Sequence, residues 1–357
     1  MDDSKKLEAL SPEDKSTLIN LIKSKIDFVG GKSWKSLQRL AEALAPLYQV
    51  INLSNGFVDI LKWFEDQANA LSRKFAIFII EVLCTLNAIN ESVLDPGAIN
   101  NFKGIFSKGL EDPDIDVKVS SLNCVTQFLI NVENEKILLQ FSELTDKMLA
   151  ALIETLKYEN GQGKVDIENS KGKAALETLI EIVDQHPKFW KGKTDTIINI
   201  VNEISKGKIF QNQIRELSLE LVLSLAKTSA SSIKKSANFK NIFLPLLFNL
   251  MLEIDNENDD AKWEKNYEEN EENRDEMFYA VRDSFDRLSL DLGGDFFMSA
   301  TSDYIKKFMN SSNWIEVHAA YTAMAFMSEG CKDSFSKNLK EFLQFISTGL
   351  THKHPRV

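Results

Sequence analysis

Residues Gly109–Ser121 read GLEDPDIDVKVSS, and this stretch decides the fold. Pro113 disfavours helical backbone at the residue before it, so Asp112-Pro113 ends one helix. Gly109 falls in the last turn of that helix. Asp116 is placed to cap the next one, where a side-chain oxygen meets a backbone N–H that has no helical partner. Ile99–Leu110 upstream and Val117–Ile130 downstream both carry apolar residues at helical spacing. The stretch is therefore the turn of a helical hairpin.

The pattern of helix, short break and helix repeats on both sides. Ser11-Pro12-Glu13 starts the first helix, with Leu18, Ile19, Leu21, Ile22 and Ile26 as its stripe, and Gly30-Gly31 breaks it. Leu37, Leu40, Ala41 and Leu44 lie on one face of the second. Beyond these, Phe57–Ala70 pairs with Ser72–Asn87, Ile99–Leu110 with Val117–Ile130, and Phe141–Leu156 with Ala174–His186. Thr194–Ser205 then pairs with Gln213–Lys227, Phe239–Ile254 with Met277–Leu292, and Phe296–Asn310 with Ile315–Cys331. Leu339–Leu350 is left without a partner. No run reads as a strand.

Second helices begin at comparable points, Arg73, Lys118, Lys173, Arg215, Arg282 and Val317. Once the polar inserts Tyr158–Lys173 and Asp255–Glu276 are set aside, the period approaches the ~40–47 residues of HEAT repeats. The expected fold is all-α, a right-handed α-solenoid of HEAT repeats with about seven helix pairs plus a terminal half repeat. The repeats fall at residues 11–50, 57–90, 97–133, 135–187, 190–229, 233–295 and 296–334 of a single array over 1–357. Residues 337–357 form a truncated repeat and 255–276 an acidic inserted loop. First helices line the convex side and second helices the concave side. The closing THKHPRV reads as the turn before a further helix, which suggests a piece of a longer chain.

The chain has 357 residues, more than the roughly 250–300 that one core serves, so an array or several domains are required. Its net charge is −11, and Glu253–Glu276 alone, with 12 acidic and 3 basic residues, carries −9. Such a segment stays in solvent. It reads either as a solubilising loop or as an electrostatic arm for a basic partner. The acidic balance argues against direct nucleic-acid binding. FAIFII before Glu81 is too short for membrane insertion. Cys84, Cys124 and Cys331 form no CxxC pair and suit buried thiols in a reducing compartment.

The chain carries no recognisable catalytic or metal-binding pattern. There is no HExxH or GxxxxGK[ST], and Gly161-Gln162-Gly163-Lys164 lacks the remaining residues of a phosphate loop. Asp255, Glu257 and Asp259 have calcium-loop spacing, but Asp260 stands where glycine is needed and Asn266 where a bidentate carboxylate is needed. His186, His318, His352 and His354 do not cluster with cysteine. We read the chain as non-enzymatic, with no cofactor and no metal.

The stretches SFDRLSLDLGGDFF, NWIEVHAAYTAMAFMSEGC and LTHKHPRV resemble the importin-β (karyopherin-β) superfamily, in particular its importin-5-like branch. LKWFEDQANALSRKFA, SKGLEDPDIDVKVSSL, LETLIEIVDQHPKFWKG and NQIRELSLELVLSLA agree in order, so the resemblance covers essentially the whole chain and points to a fragment of the N-terminal half. It implies a nuclear import receptor that shuttles between cytoplasm and nucleus. Such a receptor binds cargo proteins with basic localisation signals on its concave face and releases them to Ran-GTP, a GTPase. Nucleoporin FG repeats are a further implied partner. The acidic insertion sits where the family carries an acidic loop. Val317 stands where the branch usually has arginine, which interrupts a basic ladder, and the repeats that make much of the family's Ran contact lie outside the match.

A lysine-rich signal needs carboxylates on second helices, with apolar platforms for the lysine stems. The candidates are Asp283, Asp286, Asp291 and Glu329, with Trp314 as platform. Glu177, Glu181, Asp184, Glu216 and Glu220 form a second acidic set. Asp255, Glu257, Asp259, Asp260, Glu268, Glu269, Glu271 and Glu272 of the loop would meet Ran or compete with cargo. For each carboxylate the alternative is a solvated or intramolecular salt-bridge role, and for Trp314 it is packing between repeats. The alternative function is a HEAT-repeat scaffold subunit that assembles another multiprotein complex.

Overall fold

A computed structural model describes residues 10–26, 34–51, 53–66, 69–86, 88–89, 94–162, 167–254 and 276–357. Among these there is no strand. The chain folds as two compact units, Met1–Ile182 and Val183–Val357. Residues 255–275 of the acidic insertion, including all eight of its named carboxylates, lie outside the described residues.

The first unit holds α1 (Pro12–Lys23), α2 (Trp34–Ile51), α3 (Leu53–Glu65), α4 (Ala70–Thr85), α5 (Pro96–Leu110), α6 (Ile115–Ile130) and α7 (Thr145–Gly161). Helix α8 (Lys171–Gln185) follows. Their starts obey capping chemistry. Ser11, Asn69 and Asp95 accept backbone N–H bonds, and Pro12 and Pro96 open α1 and α5, where a missing N–H costs nothing. The cap of α6 corrects the sequence reading. Asp114 accepts from the N–H groups of Asp116 and Val117 at 3.0 and 3.2 Å, and Asp116 sits inside the first turn. With Pro113 in the turn, the helix starts two residues earlier than the apolar pattern indicates.

Within this unit α3 packs on α4 and α5 on α6, while α4 lies between α2 and α6. Phe102, Phe106, Phe128 and Phe141 fill the core with centroids 5.0–6.3 Å apart. At Gly109 a Cβ would come within 2.4 Å of Ser121 Oγ, so α5 approaches α6 at a distance that only glycine allows.

The second unit holds α9 (Thr194–Ser205), α10 (Asn212–Lys235), α11 (Leu244–Leu250), α12 (Glu276–Leu292), α13 (Gly294–Met309), α14 (Trp314–Phe326) and α15 (Leu339–Gly349). Helix α10 packs on both α9 and α12, and α12 also touches α13 and α14. Non-helical backbone at Ser229 kinks α10. Gly293, with φ +80°, turns the chain between α12 and α13. Cys84, Cys124 and Cys331 are all buried free thiols. No helix among the described residues is long and apolar enough to cross a membrane.

The repeat also appears in the polar contacts, which join residues one hairpin apart. Arg73 Nε and Nη2 donate to Asp112 at 2.7 and 3.0 Å, a separation of 39 residues. Asn123 donates to Glu81 (42 residues), Lys118 to Glu154 (36) and Ser334 to Asp295 (39). The buried Arg215 donates through Nη1 and Nη2 to Glu253, 38 residues on, and through Nε and Nη2 to the carbonyl of Ser205. Such fixed separations mark a repeat of about that length, because each hairpin bonds to its neighbour. The separations match the HEAT period of about 40 residues.

Arg73 and Asp112 are each about 5% exposed, and Asp112 also accepts the Asp114 N–H. Removing one partner strands the other as a buried charge. Arg73→Ala and Asp112→Ala should each lower the unfolding free energy in urea by about 3–5 kcal/mol. The double variant should lose less than the sum. Small, additive losses would show that the pair does not hold the turn.

Candidate functional site

Helices α10 and α12 of the later unit and the turn after α14 carry most of the carboxylates that the sequence singles out. Asp283 is exposed, and its Oδ1 accepts from Arg282 Nε at 3.0 Å. The Arg282 guanidinium lies 4.6 Å from the Tyr279 ring and 4.4 Å from the Phe326 ring, so two aromatic side chains hold it in place. This links α12 to α14 at the site. The sequence reading missed it because neither aromatic stands out from the apolar pattern. Asp286 is half-buried on α12, and Glu329 is exposed in the turn after α14.

Asp291 is half-buried one turn beyond Arg287. Burial raises its carboxyl above the usual range, and Arg287 and Lys227 oppose that shift. Arg287 Nη1 donates to both oxygens of Glu220 on α10, at 2.7 and 2.9 Å. That hydrogen bond raises the Arg287 pKa, with smaller attractions from Asp291 and Asp184. The structure therefore gathers Asp184, Glu220 and Asp291 around an arginine of the chain itself, which sequence spacing did not indicate. Glu216 is half-buried. In the first unit Glu177 lies 3.9 Å from Lys173, one turn back on the same helix, and Glu181 is exposed.

Trp314 opens α14 after the Asn313 cap. Its ring stacks on His354 at 3.6 Å and 5°, and Arg356 lies 5.8 Å from it. The ring is thus engaged with the turn that follows α15. His318, one turn further along α14, stacks on Phe278 at 5.5 Å and donates from Nδ1 to the Arg356 carbonyl at 2.6 Å. No group of three His, Cys, Asp or Glu among the described residues is arranged to hold a metal ion.

Residues 38–200 match a family model described as "IPO5-like, TPR repeats", and residues 207–299 match one described as "Importin repeat". The chain belongs to the importin-β superfamily. It is importin-5-like within that superfamily. Importin subunit beta-3 of Saccharomyces cerevisiae is 25% identical over 259 residues, 72% of this chain and 23% of that protein. A probable importin-5 homolog of Dictyostelium discoideum is 25% identical over 250 residues, 69% of this chain and 22% of that protein. The chain thus spans less than a quarter of the curated importins it matches. Crystal structures of Kap121p, bound to Nup53p in one case and to Pho4p in another, superpose with TM-scores of 0.77 and 0.76 at 21% identity. Each superposition covers 98% of this importin chain and 32% of Kap121p, and it supports the same HEAT-repeat helical fold.

The environment of His318 sets a pH dependence. Burial holds its pKa below the ordinary value of about 6.5, against the opposing pull of its bond to Arg356. In the unfolded chain the imidazole takes up a proton as pH falls through about 6.5, whereas the folded site resists it. Stability contributed at pH 7.5 is therefore lost on going to pH 5.5. His318→Gln should melt with a smaller difference between these two pH values than the parent chain. An unchanged difference would exclude His318 as the source.

Proposed function

We propose that this chain is the cargo-holding part of a nuclear transport receptor, and that it binds lysine-rich localisation signals along α10, α12 and α14. The observation that carries this reading is that Asp283 and Asp286 stand on α12, and Glu329 in the turn after α14, in an importin-type array that also holds the aromatic pair Tyr279 and Phe326 around Arg282. Carboxylates supply charge-assisted bonds to ammonium groups, and aromatic faces lie against lysine stems. Kap121p has been solved with Nup53p, Pho4p and the SUMO protease Ulp1p. We carry over from it the capacity to hold a protein ligand.

Within this reading Asp286 and Glu329 are the principal carboxylates, and Asp283 contributes after releasing Arg282. Asp291 is secondary because burial disfavours its charged form. Glu220 is secondary because Arg287 already engages both of its oxygens. Trp314 serves packing. Release by Ran-GTP, contact of Asp255–Glu276 with Ran, and docking on nucleoporin FG repeats complete the proposed transport cycle. The role is binding and involves no catalysis.

A fluorescent lysine-rich peptide should bind the 357-residue chain with an affinity that falls as salt rises. Asp283→Asn, Asp286→Asn and Glu329→Gln together should weaken binding about tenfold or more, since each charge-assisted contact contributes ~1–3 kcal/mol. Glu220→Gln should change it less than about twofold, consistent with an exposed pair already satisfied within the chain. Loss of binding on Glu220→Gln, with no effect of the triple substitution, would move the site to the Arg287 cluster. Absence of peptide binding would favour a scaffold that assembles other folded proteins.

A further inference from the structure

The first unit contains a cavity of about 550 Å³ that differs from the rest of this acidic chain in its charge. Lys35 of α2, Lys74 of α4 and Lys171 of α8 line it, with Tyr158 of α7 and Asn169 just before α8. The opposing acidic groups on its wall are Asp116 and Glu159. Glu159 is already committed. Its Oε1 accepts the Lys171 N–H at 2.8 Å, and its Oε2 accepts the Ser170 hydroxyl at 2.7 Å and the Gly172 N–H at 3.2 Å. It therefore caps α8, and its two oxygens are held by these bonds at the cavity wall. Asp116 is half-exposed, 3.5 Å from Lys74 Nζ, and accepts a long bond of 3.3 Å from Tyr158.

Two of the ammonium groups share an aromatic neighbour. Lys74 Nζ and Lys171 Nζ lie 5.9 and 5.6 Å from the same ring, that of Phe78. The Lys74 side chain is only 11% exposed, so its charge is held at the wall and not dispersed in solvent. Burial lowers the Lys171 pKa, and Lys74 pushes it the same way against Glu81, Asp116 and Glu159. Two like charges held beside one ring repel each other, and an anion placed between them relieves that repulsion.

The geometry points to a binding site for a phosphate monoester in this cavity, held by Lys35, Lys74 and Lys171 with donors from Tyr158 and Asn169. The volume lies within the roughly 300–1,000 Å³ usual for small-ligand sites. A phosphate monoester brings nearly two negative charges and three acceptor oxygens, which three lysines and two neutral donors can satisfy. A single carboxylate, with one charge and two oxygens, matches this lining less fully. The phosphate can come from a soluble polyphosphate or from a phosphorylated side chain of a bound protein. The proposal is independent of where the basic peptide binds.

The test uses the whole chain and isothermal titration calorimetry with four probes: inositol hexakisphosphate, a phosphoserine peptide, its glutamate counterpart and inorganic phosphate. At least one phosphorylated organic probe should bind, and the one that binds more tightly identifies the source. Lys35→Glu, at an exposed position, should keep the helical circular-dichroism spectrum of the parent and weaken that binding about tenfold, and Lys171→Gln should do the same. Asp116→Asn should tighten it about threefold, since a competing charge is gone. Opposite signs for the two kinds of substitution separate a site from a folding defect. Lack of binding by both organic phosphates, equal affinity for the glutamate peptide, or indifference to both lysine substitutions would overturn the proposal.

Discussion

The structure depends on a bond between residues one hairpin apart. A pair of amphipathic helices has more apolar surface than it can cover by itself, so each pair must be closed by the next. Arg73 and Arg215 show the polar form of this constraint. Both guanidinium groups are buried, and the decisive carboxylate for each, Asp112 or Glu253, comes from the following hairpin. A buried arginine without that partner would cost several kcal/mol. Turn geometry, helix spacing and hairpin order are therefore fixed together.

The same packing sets what the surface can do. Second helices lie side by side, so side chains far apart in sequence meet in rows. Arg287 and Glu220, 67 residues apart, form such a contact. In the later unit these rows carry carboxylates beside Tyr279 and Phe326. In the earlier unit they carry Lys35, Lys74 and Lys171 around a cavity. A net charge of −11 for the whole chain conceals this alternation of sign, because the acidic insertion dominates the sum.

Much of the architecture was legible in the sequence because hairpin turns are local. Asp112-Pro113, the apolar spacing on either side and Arg73 as a recurring helix start all indicate the repeat, and they coincide with α5, α6 and the buried ion pair. The shift of the α6 cap from Asp116 to Asp114 is a two-residue effect of proline that periodicity does not resolve. The site was less legible. Candidate carboxylates could be chosen by helix and by charge, but their partners could not. The contact of Arg287 with Glu220 spans the long insertion, and the convergence of Lys74 and Lys171 on Phe78 joins helices 97 residues apart. Trp314 looked equally suited to ligand and to packing, and the stacked His354 ring that engages it comes from a turn without periodic signal.

The cap that Glu159 places on α8 has a bearing on how this chain diversifies. One carboxylate grips two backbone N–H groups and a hydroxyl across the interval from 160 to 169, which ties the end of α7 to the start of α8. The entropy of closing a connection grows only slowly with its length. A reporter peptide spliced into that interval should therefore cost the hairpin little and be carried as a passive load on the same frame.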